Sequence, residues 1–264
     1  MFLFDRPKIG IIGLGFVGSA VRDSFEDECE LILVDPPKGL PHTYKDLKDC
    51  EAVFVCVPSP SNNDGSCDTS ILEDVLEKLQ DYKNVIISKT TAPPNVYKEL
   101  ASKYINLVHA PEFLTAANSR ADYINGKFAI VGGSNSAFRR EAARIIRISQ
   151  RSLTDIQYAT AEEASLAKYA INCFLATKVI FMNEICQLSE ASGIDYKRVS
   201  KLINLDERIG KSHMQVPGPD GAMGFGGMCF PKDTQALVNH AKEYNINLEV
   251  LESAIKKNLF LRLK

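Results

Sequence analysis

The sequence predicts an α/β protein, in which a doubly wound parallel sheet is followed by a long central helix and a small all-α domain. Two observations support this fold class. Through residues 8–131, short and continuously apolar runs alternate with helical stretches, as in a parallel sheet covered on both faces. From residue 159 onwards, apolar residues recur at helical spacing instead. We therefore divide the chain into two domains, residues 1–158 and 159–264.

Composition excludes several classes of function. The 264 residues contain 31 Lys and Arg against 33 Asp and Glu, so we expect neither nucleic acid nor an anionic membrane as a partner. No apolar run approaches the roughly 20 residues of a membrane span. Seven cysteines without paired spacing indicate a reducing compartment rather than a disulfide framework, and we expect a cytoplasmic protein. We expect no metal site.

Six apolar runs are predicted as strands of the sheet, and several end in polar or proline-rich loops. Because ligands of doubly wound sheets bind outside the carboxyl ends of the strands, these loops are the first candidates for function. The strands are predicted at Lys8–Ile12, Leu31–Val34, Ala52–Val57, Val85–Ser88, Leu107–His109 and Phe128–Val131, and the loops at Pro58–Pro60, Lys89–Pro94 and Ala110–Glu112.

A glycine pattern directly follows the first strand and opens a helix predicted from Ser19 to Phe25. Gly13 permits a tight turn, Gly15 lets the backbone approach a pyrophosphate, and Gly18 lets helix and strand pack closely. The pyrophosphate would lie at the helix N-terminus, where unpaired N–H groups and the helix dipole favour an anion. This order of elements predicts a Rossmann-like dinucleotide-binding domain.

An acid at the end of the second strand specifies the cofactor. Asp35 would accept hydrogen bonds from a ribose diol and repel a 2′-phosphate, which favours NAD, although Lys38 lies close enough to favour a phosphate. The predicted cofactor-binding residues are Gly13, Gly15, Phe16, Val17, Gly18, Asp35, Pro58, Ser59 and Thr91.

The second part of the chain begins with a capping box, in which Thr160 is the N-cap and Glu163 follows three residues on. The helix is predicted to run about 30 residues, roughly 45 Å, until Gly193. Helices of that length usually lie between domains or at a subunit interface. Lys168 and Asn172 share one of its faces, which spacing alone would explain as a solvated stripe. Shorter helices are predicted from Tyr196 to Ile203 and from Leu248 to Leu263.

A glycine-rich segment, GFGGMCFPKD, contains the strongest candidate for covalent chemistry. Its three glycines indicate a close approach of the backbone to another group. Pro231 suits the first turn of a helix, so Cys229 would lie at the helix N-terminus, where the dipole stabilises a thiolate. Asp233 follows four residues on, on the same side of that helix.

With this cysteine in place, the sequence resembles the UDP-glucose/GDP-mannose dehydrogenase family over essentially its whole length. The matching segments are GLGFVG with Asp35, KTTAPP, PEFL, KYAINCFLATKVIFMNE, ERIG and GFGGMCFPKD. The resemblance implies a twofold NAD-dependent oxidation of a nucleotide sugar at C6 to the uronic acid. UDP-glucose is the first choice of substrate, ahead of UDP-N-acetyl sugars and GDP-mannose.

The resemblance also implies roles for individual residues. Cys229 would attack the aldehyde, giving a thiohemiacetal and then a thioester. Lys168 and Asn172 would stabilise the oxyanion, while Asp233, Glu112 and Thr91 would hold water and move protons. Arg208 would reach across a homodimer formed about the long helix. The implied substrate-binding residues are Glu112, Phe113, Leu114, Lys168, Asn172, Arg208, Phe225, Gly226 and Gly227.

Two departures from the family pattern are evident. Family members normally continue into a C-terminal UDP-binding domain, whereas this sequence stops at Lys264, so we expect a short form. The family's PEFL segment commonly has a second Glu four residues after the first, and here that position is Ala116.

Two other functions remain open from the sequence. A β-hydroxyacid or 6-phosphogluconate type dehydrogenase also combines a nucleotide fold with a long helix bearing Lys and Asn, but it oxidises once and needs no thiol. A truncated relative could bind NAD or a nucleotide sugar without turnover.

Overall fold

The computed structural model describes residues 6–25, 28–115 and 118–263. Ala116 lies outside these ranges. The chain forms two compact units. The first comprises Met1–Pro60 and Cys67–Lys168, and the second comprises Ser61–Ser66 and Tyr169–Lys264.

The first unit is built on a seven-stranded sheet with the strand order β2-β1-β3-β4-β5-β6-β7. The order reverses between β1 and β3, which places the expected ligand crevice outside the carboxyl ends of those two strands. All neighbouring strands are parallel except β5 and β6. The strands are β1 Lys8–Ile12, β2 Glu30–Val34, β3 Ala52–Val55, β4 Val85–Ser88, β5 Leu107–His109, β6 Phe128–Gly132 and β7 Asp155–Ala159.

Helices cover the sheet, and two apolar clusters lie on its two faces. Alternate residues of β1 supply the two clusters: Ile9 and Ile11 enter one, and Ile12 enters the other. This two-sided burial explains the continuous apolar runs of the sequence. The helices of this unit are α1 Phe16–Phe25, α2 Ser70–Lys78, α3 Pro94–Lys103, α4 Ser119–Ile124 and α5 Ser136–Ser149, with short 3₁₀ turns at Pro36–Lys38 and Tyr44–Asp49.

Two predicted element ends differ from the structure by more than one residue, and one strand was not predicted. The first helix begins at Phe16 rather than Ser19, and β3 ends at Val55 rather than Val57. The strand β7 was missed because it is an exposed edge strand, in which no residue is fully buried. An edge strand needs no continuous apolar run, so the hydrophobic pattern did not indicate it.

The second unit is helical in its described residues. It contains most of α6 Ala161–Ala191 together with α7 Tyr196–Ile203, α8 Phe230–Glu243 and α9 Glu249–Arg262. One of its apolar clusters joins Ala176 and Ile180 of α6 to Leu261 of α9. The predicted long helix and all-α domain are therefore confirmed.

Helix α6 spans 31 residues and begins and ends as predicted. The backbone N–H of Glu163 donates to Thr160 Oγ1 at 3.3 Å, and that of Thr160 donates to Glu163 Oε2 at 2.8 Å, which completes the capping box. Gly193 follows the helix with a φ of 68°. Among the described helices, α6 alone has the length and apolar composition to cross a bilayer, and 50% of its most apolar window is buried.

Candidate active site

The glycine turn after β1 has the geometry that the sequence predicted. Gly13 has a φ of 83°, and a Cβ there would lie 2.7 Å from the carbonyl oxygen of Cys56. A Cβ at Gly18 would lie 1.8 Å from Gly13 O, so only glycine lets α1 pack this closely. The space beside Gly15 is open, with no atom within 4 Å of a built Cβ. The turn therefore leaves room for a pyrophosphate at the start of α1.

Asp35 is fixed to this turn. Its Oδ2 accepts a hydrogen bond from the backbone N–H of Leu14 at 2.8 Å, and the side chain is buried. Lys38 Nζ donates to the carbonyl oxygen of the same Leu14 at 2.5 Å. Lys38 is thus hydrogen-bonded to the backbone, while the carboxylate of Asp35 lies at the end of β2. These residues fit the adenosine half of NAD.

The loops after β3 and β4 are hydrogen-bonded to each other. Ser59 Oγ donates to the carbonyl oxygen of Thr91 at 2.5 Å, and Thr90 Oγ1 donates to that of Val57 at 2.8 Å. Pro58, in the loop after β3, is exposed. Phe16, at the start of α1, is exposed as well. Val17 packs against the core of the sheet. These contacts fix the loop that presents Thr91.

Glu112 and Lys168 form a buried ion pair in the first unit. Lys168 Nζ lies 3.2 Å from Glu112 Oε1 and donates to the Glu112 carbonyl oxygen at 2.6 Å. The lysine side chain is 4% exposed and the glutamate side chain 10%. Glu112 Oε2 accepts from the backbone N–H of Leu114 at 2.7 Å, and Lys168 Nζ lies 5.3 Å from the centre of the Phe113 ring. Two of the three ammonium protons are thereby directed at Glu112, which leaves one for a further acceptor.

Beside this pair lies a second buried lysine that the sequence analysis missed. Lys89 precedes Thr90 and Thr91 in the loop after β4, and burial lowers the pKa of its ammonium to about 8. Its Nζ lies 5.4 Å from the centre of the Tyr123 ring. Lys89, Glu112 and Gln150 line a cavity of about 80 Å³ in the first unit. A lysine within a loop motif gives no sequence signal of burial.

In the second unit, Cys229 is the N-cap of α8, and Pro231 lies in the first turn, as predicted. Cys229 is an exposed residue. The carbonyl oxygen of Cys229 accepts the first helical hydrogen bond from the N–H of Asp233 at 2.8 Å. A cysteine in this position is adjacent to the positive end of the helix dipole.

The carboxylate of Asp233 is buried and bound at both oxygens. Oδ2 accepts from Asn172 Nδ2 at 2.6 Å, and Oδ1 accepts from Lys232 Nζ at 2.6 Å. Asp233 is 1% exposed. The carboxylate therefore orients the amide of Asn172, which keeps its second N–H proton for another acceptor. Lys232 was another residue that the sequence analysis did not select.

The glycines before Cys229 approach other groups of the same unit. A Cβ at Gly224 would lie 2.3 Å from Asn258 Oδ1, and one at Gly226 would lie 2.6 Å from an Arg262 nitrogen. The Phe225 ring is 4% exposed and packs in the core of this unit. Gly227 has a φ of 76° and open space beside it. The expected close approach is thus made, at Gly224 and Gly226, by side chains of α9.

Arg208 lies on an exposed loop. Its side chain is 88% exposed and pairs with Asp206 at 2.6 Å. Lys178 of α6 holds the following segment, because its Nζ donates to the carbonyl oxygens of Ile209, Gly210 and Ser212 at 3.0, 2.9 and 2.6 Å.

The site residues therefore form one group in each unit. The first unit brings together Lys168 with the segment Glu112–Leu114. The second unit brings together Asn172 and Asp233, with Cys229 one helical turn before the aspartate. Arg208 lies on an exposed loop, just before the segment that Lys178 holds.

Comparison with known proteins places these features in a family. The UDP-glucose/GDP-mannose dehydrogenase NAD-binding domain matches residues 40–150, and the central domain of the same family matches residues 162–259. A UDP-glucose 6-dehydrogenase from Rickettsia bellii is 35% identical over 227 residues, which is 81% of this chain and 50% of that protein. The chain spans about half the length of the curated relatives it matches.

Solved structures share the fold. A UDP-glucose dehydrogenase from Pyrobaculum islandicum superposes with a TM-score of 0.80 at 23% identity, covering 96% of this chain and 68% of that one. The Mycobacterium tuberculosis 3-hydroxyisobutyrate dehydrogenase reaches 0.73 at 17% identity, covering 95% and 91%. The two family models together match most of the sequence. The chain therefore belongs to the UDP-glucose/GDP-mannose dehydrogenase family and contains its NAD-binding and central domains.

Proposed function

We propose that the chain is an NAD-dependent dehydrogenase that oxidises C6 of a nucleotide sugar, with UDP-glucose as the first candidate, to the uronic acid. The observation that supports this most directly is the exposed position of Cys229 at the start of α8. A single oxidation of an alcohol needs no thiol, whereas oxidation to the acid needs an adduct that can be oxidised a second time.

The chain's own groups would act as follows. NAD, when bound, would accept a hydride in each of the two oxidations. The first oxidation converts the C6 alcohol to an aldehyde by loss of a hydride and a proton. The thiolate of Cys229 then adds to the aldehyde carbonyl carbon, and the carbonyl oxygen takes up a proton and becomes the hydroxyl of a thiohemiacetal. Oxidation of this adduct leaves a thioester on Cys229. Water then attacks the thioester carbonyl, releases the carboxylate and restores the thiol.

Lys168 and Asn172 would stabilise the oxygen that carries negative charge in these steps. Glu112 orients Lys168, and Asp233 orients Asn172. Each of these two donors keeps a proton that is not hydrogen-bonded to the residue that orients it. Thr91, with Glu112, would hold water or a transferring proton. We further propose that Arg208 binds substrate across a dimer, since its guanidinium is exposed.

A homodimer about α6 is supported by the outer face of that helix. Phe174, Phe181 and Leu188 recur every seven residues, and their exposed fractions are 68%, 57% and 62%. Large apolar residues exposed together on one face of a helix indicate a surface that packs against another protein surface. Substitution of Phe181 by Glu would then convert the dimer to a monomer in sedimentation analysis.

Counting NADH tests the reaction. We expect two NADH for each UDP-glucose consumed, and Cys229→Ser should abolish acid formation. Acid formation by the serine variant at the original rate would exclude the thiol mechanism. Parallel assays with UDP-N-acetyl sugars and GDP-mannose identify the substrate.

A single-step hydroxyacid dehydrogenase is the second candidate. Neither the contact between Lys168 and Glu112 nor that between Asn172 and Asp233 involves the thiol, so both would also serve one hydride transfer. Alkylation of Cys229 separates the two: retained turnover supports the single-step reaction, and lost NADH production supports the double oxidation. Calorimetric binding of NAD and UDP-glucose without any turnover would indicate a binding protein instead.

A further inference from the structure

The segment that leads to Cys229 is held by three side chains, two of which lie outside every motif quoted above. Four backbone groups of Gly224 and Phe225 are hydrogen-bonded to three side chains. These side chains are Asn183 of α6 and, on α9, Asn258 and Arg262. Phe225 lies four residues before Cys229, so these hydrogen bonds fix the backbone close to the nucleophile in sequence.

The two asparagines accept the backbone N–H groups. Gly224 N donates to Asn183 Oδ1 at 3.0 Å, and Phe225 N donates to Asn258 Oδ1 at 2.7 Å. Asn183 is 1% exposed and Asn258 is 7% exposed. Buried amides without partners cost free energy, so these two acceptors select one backbone conformation at this point.

Arg262 supplies the donors to the two carbonyl oxygens. Its Nε donates to Phe225 O at 3.1 Å, and one terminal nitrogen donates to Gly224 O at 3.3 Å. The other terminal nitrogen pairs with Asp220 Oδ2 at 2.6 Å, and this bond holds the pKa of Asp220 below its usual range. One planar guanidinium thus joins the acid of the preceding loop to the backbone of the glycine segment.

The glycines complete the arrangement. A Cβ at Gly224 would collide with Asn258, and a Cβ at Gly226 with Arg262. Because Asn258 and Arg262 are four residues apart, they share one face of α9 and act on the segment together.

We propose that Asn258 and Arg262 are positioning residues, which fix the backbone of Gly224 and Phe225 and thereby the place of Cys229 at the start of α8. This inference rests on the proposed function of Cys229. It adds α9, a helix without any residue of the predicted site, to the elements on which the reaction depends.

Paired substitutions on α9 test the inference. Asn258→Leu and Arg262→Met remove the hydrogen bonds, whereas Asn258→Asp keeps an acceptor and Arg262→Lys keeps a donor and the charge. Lys256→Met, at an exposed position of the same helix, is the matched control. The first readout is the rate at which iodoacetamide alkylates Cys229 without substrate, followed by peptide mass spectrometry. The second is kcat and KM for the nucleotide sugar and for NAD.

We expect Asn258→Leu and Arg262→Met to lower kcat roughly 10- to 100-fold, the size of effect that small misplacements of a reacting group produce. Alkylation should slow, KM for NAD should stay unchanged, and the conservative pair should recover most of both rates. Wild-type kcat with an unchanged or faster alkylation rate would overturn the proposal. If Asn258→Leu or Arg262→Met melts below the assay temperature, Asn258→Asp and Arg262→Lys decide the question. Wild-type kcat and alkylation rate in both variants support a role for the hydrogen bonds, and loss of both rates in both variants counts against it.

Failure of the proposed function gives a different result. If Cys229→Ser retains acid formation, the thiol mechanism is wrong whatever α9 does. If Cys229→Ser is inactive while Asn258→Leu and Arg262→Met equal the wild type, only the positioning inference is wrong.

Discussion

The two units orient a residue of α6 in different ways. In the first unit, Glu112 receives one ammonium group, that of Lys168, and its remaining carboxylate oxygen takes a backbone N–H. In the second unit, Asp233 is shared between the amide of Asn172 and the ammonium of Lys232. In the first arrangement, Glu112 is paired with the charge of the residue that it orients, Lys168. In the second, Asp233 orients the neutral side chain of Asn172, while Lys232 balances its charge. The difference indicates that the first group depends on charge and the second on orientation.

Removing the charge of Lys168 should have the largest effect. Lys168→Met deletes a proposed oxyanion donor and leaves the carboxylate of Glu112 buried without its cation. We expect kcat to fall by roughly 10²- to 10³-fold, the usual effect of losing one such donor. Steady-state NADH formation measures this, with Lys98→Met on the exposed surface of α3 as the control.

A double-variant cycle with Glu112→Gln then tests whether the pair acts as a unit. Because the two side chains are in contact, the effects of Lys168→Met and Glu112→Gln on stability should not be additive. Additive losses in urea unfolding would mean that the ion pair contributes nothing as a pair, and the proposed contrast between the two units would not hold.

Breaking the second group should affect orientation more than charge. Asp233→Leu removes the acceptor for Asn172 and for Lys232, so we expect a loss of about 3 kcal/mol in unfolding free energy and about a 100-fold lower kcat. Asp233→Asn keeps an oxygen that can accept from Asn172. Its kcat should therefore stay closer to the wild-type value than its unfolding free energy does. Urea unfolding and NADH assays on both variants measure this. Equal activity losses in the two variants would show that charge matters in this unit as well.

Local patterns were enough to predict the parts of the site that lie close together in sequence. The turn from Gly13 to Gly18, the acid Asp35 and the start of α8 at Cys229 each follow from a few consecutive residues. The hydrogen bonds of Asn258 and Arg262 join positions more than 30 residues apart, so no local pattern indicates them. The three glycines before Cys229 did indicate a close approach to the backbone. The spacing of four residues between Asn258 and Arg262 on α9 was a further signal.

Lys89 is a second buried cation in the first unit. Burial lowers the pKa of this ammonium from 10.5 to about 8, so the unfolded chain binds more protons between these two values. The lysine therefore destabilises the fold fully below pH 8, and this cost disappears as the pH rises towards 10.5. This difference between the folded and unfolded pKa values corresponds to about 3 kcal/mol of lost stability.

Lys89→Met should accordingly be more stable than the wild type at pH 7, by up to about 3 kcal/mol. The difference should shrink when both proteins are unfolded in urea at pH 10. A difference that is the same at both pH values would mean that the methionine acts through packing alone. Lys83→Met, at an exposed site of the same unit, should show no such pH dependence.

The smallest effect concerns the helix that supplies both groups. Thr160→Ala removes the hydroxyl that accepts from the N–H of Glu163, and loss of an N-cap costs about 1 kcal/mol. Thr160→Ser keeps that oxygen and should match the wild type in thermal unfolding. Lys168 lies two turns into α6, where its ammonium is held by Glu112 independently of the cap, so kcat should not change in either variant. A fall in kcat for Thr160→Ala alone would mean that the start of α6 sets the position of Lys168, and the orientation of the first group would then depend on the helix as much as on its charge pair.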